Sequence, residues 1–171
     1  SGWRVYEDKD AIIETSEGEI HVRLRPDAAP NTAWNFRQLA EGGFYRSTIF
    51  HRVVPLTNKG FPFVIQGGDP TGTGSGSAGS WLPIEQSSLL HDFGVISMAR
   101  AGDPDSAGCQ FFLCLSREGT ARLDGQYCAF GETISGDAVI KAIAATPIEN
   151  PQTGRPKNPP RIHVISMVPA A

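Results

Sequence analysis

No stretch of this 171-residue sequence approaches the ~20 consecutive apolar residues needed to cross a bilayer, so no membrane span is expected. No signal-peptide pattern stands at its start either. Ser1-Gly2 reads as an expression scar inside an N-terminal flank, residues 1–10, ahead of one domain over residues 11–171. Location stays open between the cytoplasm and, if an upstream signal was removed, the periplasm or secretion. Positive charge is not in excess: the formal net charge of −3 leaves no basic stripe, and no nucleic-acid partner is expected. Cysteine is scarce. Cys109, Cys114 and Cys128 are odd in number and lack a CxxC spacing, which excludes a disulfide framework and a zinc site. They read as small buried residues in strands, with a Cys114–Cys128 bridge left open. His21, His91 and His163 share no metal-ligand spacing and read as surface or framework residues, so no metal and no cofactor are expected. Ser97 has no identifiable His/Asp support, which argues against a hydrolase triad. The Gly- and Ser-rich run from Pro70 to Ser80 lacks a Gly-Lys-Ser/Thr ending and reads as a flexible surface loop, not a phosphate cradle.

What is present is an ordinary globular composition, 40% hydrophobic and 19% charged, with no internal repeat or linker. Ala11–Ser16 and Glu19–Leu24 flank Glu17-Gly18 and predict a hairpin, with Ile20, Val22 and Leu24 facing inward. Pro30 opens a helix whose apolar stripe is Ala33, Phe36, Leu39 and Ala40, and Gly42-Gly43 ends it. Further strands are expected at 49–54, 63–67, 95–100, 110–115, 127–134 and 161–168, and a second helix at about 136–145. The Pro-rich run from Asn150 to Pro160 reads as a loop. Many short strands with few helices favour a closed barrel or a sandwich over a doubly wound sheet.

Three stretches carry the functional signal: Phe50-His51-Arg52, Gln66-Gly67-Gly68-Asp69, and Gln110-Phe111-Phe112 with Leu123-Asp124-Gly125. Each joins polar groups to aromatic or aliphatic residues in strand-like runs. They predict a small apolar pocket rimmed by a guanidinium and an amide. With no evident nucleophile or acid/base pair, such a pocket suits a reaction that makes and breaks no covalent bond. His51 reads as a hydrogen-bonded structural histidine.

The ordered blocks FHRVV, FVIQGGD, SMARAGDPDSAGCQFFLCL and LDGQYCAFG resemble the cyclophilins, peptidyl-prolyl isomerases that bind cyclosporin, over about Ala11 to Val168. Pro30–Phe36 is also similar to that family's first helix. The resemblance implies an eight-stranded closed antiparallel β-barrel capped by two α-helices. It implies rotation about X-Pro bonds in proline-containing peptides and unfolded protein segments, with a role in assisting folding. Arg52 and Gln66 match the catalytic pair. Phe63, Val64, Phe112 and Leu123 match the proline pocket, and Ala99, Arg100, Ala101, Gln110 and Tyr127 its rim. A monomer is expected.

The match is not complete. Leu56–Pro62 inserts about six residues before Phe63, so Phe63 and Val64 are placed by counting back from Gln66, with Phe61 competing. Arg122 stands where the family commonly has a tryptophan that contacts cyclosporin, and weak cyclosporin binding is therefore expected. Tyr127 and Arg100 replace a common histidine and asparagine, changes that look like the bacterial branch.

Overall fold

The computed structural model describes residues 9–171; the expected scar and most of the flank lie outside the described residues. The chain runs β1 (Lys9–Thr15), β2 (Gly18–Leu24), α1 (Pro30–Glu41), β3 (Thr48–Ile49), β4 (Arg52–Val54), β5 (Val64–Gly67) and β6 (Val95–Met98). It continues through β7 (Phe111–Cys114), α2 (Arg117–Thr120), a 3₁₀ turn (Ala121–Leu123), β8 (Ala129–Ser135), α3 (Asp137–Ala144), β9 (Ile148–Asn150), β10 (Arg155–Pro156) and β11 (Arg161–Pro169). The local signals explain the first elements. Thr15 Oγ1 accepts the Glu17 N–H, and Gly18 at φ 125° makes the tight hairpin turn. Pro30 starts α1 without a side-chain cap; instead the Glu85 carboxylate accepts the Asn31 and Thr32 N–H groups at 2.9 and 2.7 Å. A negative charge there offsets the positive end of the helix.

Nine strands form one antiparallel sheet in the order β3-β11-β1-β2-β8-β6-β7-β5-β4. The expected closed eight-stranded barrel is therefore not formed: the sheet is curled but its ladder is open. The reason lies at Phe50-His51, where the expected single strand 49–54 breaks. Before the break Thr48 and Ile49 pair with β11, and after it Arg52–Val54 pair with β5. The two edge strands are thus consecutive in the chain, and covalent bonds, not hydrogen bonds, join them. Two further differences follow from short range. The four-residue α2, capped by Ser116 Oγ accepting the Gly119 N–H at 3.0 Å, is too brief to show helical periodicity. The Pro-rich loop holds the turn and second strand of the β9–β10 hairpin, whose Gly154 carbonyl accepts the Val53 N–H at 2.8 Å and covers the β4 edge. The three cysteines are buried free thiols, with no Cys114–Cys128 bridge.

Strand alternation divides the interior. Val53, Ile65, Phe111 and Leu113 face the main core with Phe36, Tyr45, Phe50 and Phe130. Phe111 meets the rings of Phe36, Tyr45 and Phe50 edge-on at 5.7, 5.5 and 6.4 Å. The intervening residues Val64, Phe112 and Cys114 pack on the other face with Val95, Leu123 and Ala129. That second face carries the candidate site.

Candidate functional site

Register sets Arg52 opposite Gln66, Gln66 opposite Phe112, and Phe112 opposite Ser97. These four residues form one transverse row on four adjacent strands, so their side chains share a face. Arg52, Gln66 and Phe112 of this row line a cavity of about 240 Å³ together with Phe63, Val64, Ala99, Arg100, Leu123 and Tyr127. Ala101 and Gln110 line an adjoining cavity of about 330 Å³, together with Gly74–Ser77 and Trp81, and the two share Gln66, Ala99 and Arg100. Phe63 lines the first cavity, whereas its competitor Phe61 is exposed. The inserted loop is tied down at its C-terminal end. Its Pro62 carbonyl accepts the Ser116 hydroxyl at 2.6 Å, and Leu56 and Phe61 point to solvent.

A continuous hydrogen-bond chain holds the guanidinium. Arg52 Nη1 donates to Gln66 Oε1 at 3.2 Å, and Gln66 Nε2 donates to Gln110 Oε1 at 3.2 Å. Gln110 Nε2 in turn donates to the Gly74 and Gly76 carbonyls at 3.0 and 3.1 Å. Those glycines belong to the 70–80 loop, which is tethered: the Asp69 carboxylate accepts the N–H groups of Thr71, Gly74 and Gly76 at 2.8, 2.6 and 3.0 Å. Asp69 is fully buried; burial alone would raise its pKa, but the Gly76, Thr71 and Gly74 hydrogen bonds outweigh that and lower it. The sequence signal for this tether was present in Asp69 followed by Thr71 and glycines, the pattern of an Asx turn. Burial lowers the Arg52 pKa from its ordinary value, Tyr127 opposing, yet arginine starts so far above neutrality that the charge stays.

The expectation that Ser97 lacks His/Asp support is overturned. His91 Nε2 lies 2.9 Å from Ser97 Oγ, and His91 Nδ1 lies 3.0 Å from Asp124 Oδ1. The carboxylate can only accept, so Nδ1 carries the proton and Nε2 accepts from the Ser97 hydroxyl. Sequence spacing hid the constellation, because its members come from a loop, β6 and the turn after the 3₁₀ segment. It is still no hydrolase site: Ser97 and His91 are both 0% exposed, under Phe112, whose ring stacks on His91 at 6.0 Å. Its work is to hold Phe112 from below.

Burial lowers the His91 pKa, against the opposing hydrogen bond to Asp124. Burial also lowers that of His51, whose Nδ1 has no hydrogen-bond partner among the described residues, contrary to expectation. Groups depressed in the folded state contribute stability above the unfolded value, and lose it as pH falls through the folded value. Urea midpoints are therefore expected to drop as pH falls from about 7 to about 5, below the ordinary histidine value of ~6.5. Asp124 adds a second loss at lower pH: burial would raise its pKa, but Arg117 and His91 hold it down to about 2. Midpoints that stay flat between these limits would contradict the neutral, buried histidines.

Among the described residues no group of three or more His, Cys, Asp or Glu is placed to hold a metal ion. No helix among them is long and apolar enough to cross a membrane. What the arrangement offers is an apolar cup, a fixed cation at its edge, and amide groups beside it.

Residues 11–167 match the family model described as cyclophilin type peptidyl-prolyl cis-trans isomerase/CLD. Over 155 residues the chain is 41% identical to Peptidyl-prolyl cis-trans isomerase ppi1 of Schizosaccharomyces pombe, covering 88% of this chain and 93% of that protein. It is 42% identical over 133 residues to a peptidyl-prolyl cis-trans isomerase of Synechococcus elongatus, covering 78% of this chain and 85% of the relative. Fungal and cyanobacterial relatives together do not single out a bacterial branch. A cyclophilin type isomerase of Cryptosporidium parvum, solved in the presence of the dipeptide Ala-Pro, superposes with TM-score 0.82 at 32% identity over 95% of this chain and 99% of that one.

Proposed function

The chain belongs to the cyclophilin type peptidyl-prolyl cis-trans isomerases, and from that premise we propose that it turns X-Pro bonds in its two-cavity groove with Arg52 as the catalytic donor. The obstacle is amide resonance, a barrier of ~18–20 kcal/mol. As the bond twists, the proline nitrogen loses conjugation and regains a lone pair. A guanidinium N–H aimed at that nitrogen binds the twisted form better than either planar form, and such differential binding is catalysis. A catalyst hastens exchange in both directions alike, and the cis–trans difference of ~0.5–1 kcal/mol still sets the equilibrium.

The observation that carries this reading is the fixed Arg52–Gln66–Gln110 chain at the edge of an apolar cup. In it Phe63, Val64, Phe112 and Leu123 hold the proline ring. Tyr127, whose ring meets Phe112 edge-on at 5.7 Å, closes one side. Gln66 orients the arginine and takes substrate backbone, while Ala99, Arg100, Ala101 and Gln110 bind the residues before proline. Unfolded segments with slow X-Pro bonds are the natural substrates, since uncatalysed exchange takes tens to hundreds of seconds. Two-dimensional exchange NMR of a short Ala-Pro peptide tests this: enhanced exchange supports it, and peptide shifts without faster exchange would make the groove a proline-recognition module instead.

Cyclosporin is expected to inhibit weakly, at about micromolar concentration or above. Arg122 offers no indole face or indole N–H there, and its guanidinium lies 5.1 Å over the Phe63 ring. Nanomolar inhibition of peptide exchange would contradict this.

A further inference from the structure

We propose that Arg122 gives the enzyme a preference for an anionic side chain immediately after the proline, an inference that rests on the isomerase reading of the same groove. The first support is the sign of the charges. Arg100 lines both cavities and Arg52 the proline cavity, and among the described residues no carboxylate lines either one. The chain as a whole has a formal net charge of −3, so the groove is locally positive on a negative protein.

The second support is that Arg122 is available. It is exposed, held over the Phe63 ring at 5.1 Å, and has no carboxylate partner among the described residues. Its chain neighbour Asp124 does not neutralise it, because that carboxylate is engaged by Arg117 Nη2 at 2.6 Å and by His91. Arg100, by contrast, is spent on backbone: its guanidinium donates to the Gln126 and Ala101 carbonyls at 3.0 and 2.9 Å.

The third support is position. Phe63 lines the proline cavity but not the adjoining one. A peptide whose residues before proline occupy the adjoining cavity, and whose chain leaves past Phe63, runs by the Arg122 guanidinium that lies over that ring. A carboxylate at that point meets an unpaired guanidinium close to an aromatic wall. The pair is solvent-exposed, which keeps its effect modest and salt-dependent.

The test compares kcat/KM for Ala-Ala-Pro-Glu and Ala-Ala-Pro-Gln peptides, with a matched pair carrying Glu or Gln before the proline. The native chain is expected to favour Glu after proline about 2- to 5-fold at low ionic strength, the range of an exposed ion pair. At about 1 M salt, where the screening length is ~3 Å, the ratio is expected to fall to one. Arg122→Gln is expected to bring it towards one, and Arg122→Glu to take it below one, with circular dichroism checking the fold of both. A native ratio at or below one, a ratio unchanged in both variants, or discrimination only before the proline would overturn the assignment to Arg122. Turnover of the Gln peptides reads the isomerase separately: without it that reading fails, and this inference with it.

Discussion

Arg52→Ala is expected to lower kcat/KM for an Ala-Pro peptide by about 10- to 150-fold while leaving the circular dichroism spectrum unchanged. The range follows from a charge-assisted hydrogen bond worth ~1.5–3 kcal/mol, gained only as the proline nitrogen becomes an acceptor. It is smaller than the full acceleration, because the proposed proline cup stays in place. Arg52→Lys is expected to recover only part of the loss. Lysine restores the charge but not the planar fork, with which arginine can bond Gln66 at 3.2 Å and still present donors to substrate. A decrease in Arg52→Ala below about 3-fold would remove the donor from the mechanism.

The second large effect concerns stability, and it falls on the neighbour of a site residue. Phe111→Ala is expected to cost about 3–5 kcal/mol in urea unfolding, a large fraction of the ~5–15 kcal/mol that domains possess. Phe111 is 0% exposed and central to the ring cluster. It also rests on Gly68, at φ 89°, where an added Cβ would come within 2.9 Å of its ring. The surroundings are therefore tight, and collapse into the vacated space is limited. Its side chain faces away from the groove, so the folded fraction of Phe111→Ala is expected to keep kcat/KM within about 2-fold of the native value. A loss below about 1 kcal/mol, or a much larger fall in turnover, would contradict the division of β7 into a core face and a site face.

How far the sequence carried this picture depends on range. Short-range patterns were legible: alternation through Ile20, Val22 and Leu24, Pro30 and Gly42 bounding α1, and the Phe111–Cys114 strand all lie where their periodicity places them. The residues that the resemblance assigns to a site lie around two joined cavities. What was not legible involves partners chosen at a distance. At the break at Phe50-His51 the chain passes from pairing with β11 to pairing with β5, which no local run of FHRVV reveals. The Ser97–His91–Asp124 line needs three separate segments to converge. The β9–β10 hairpin hides among prolines, because its value lies in covering β4 rather than in its own propensity.

The position of β11 has a consequence for how the molecule comes into being. It lies between β3 and β1, and pairs with β1 from Lys9↔Pro169 to Thr15↔Ile162. On the ribosome, therefore, β1 waits for β11 to emerge before its second neighbour exists. Until then its unpaired edge is exposed, and the large loop between the partners must close before the contact gives anything back. A peptidyl-prolyl isomerase thus has a late step in its own folding, set by topology instead of by proline.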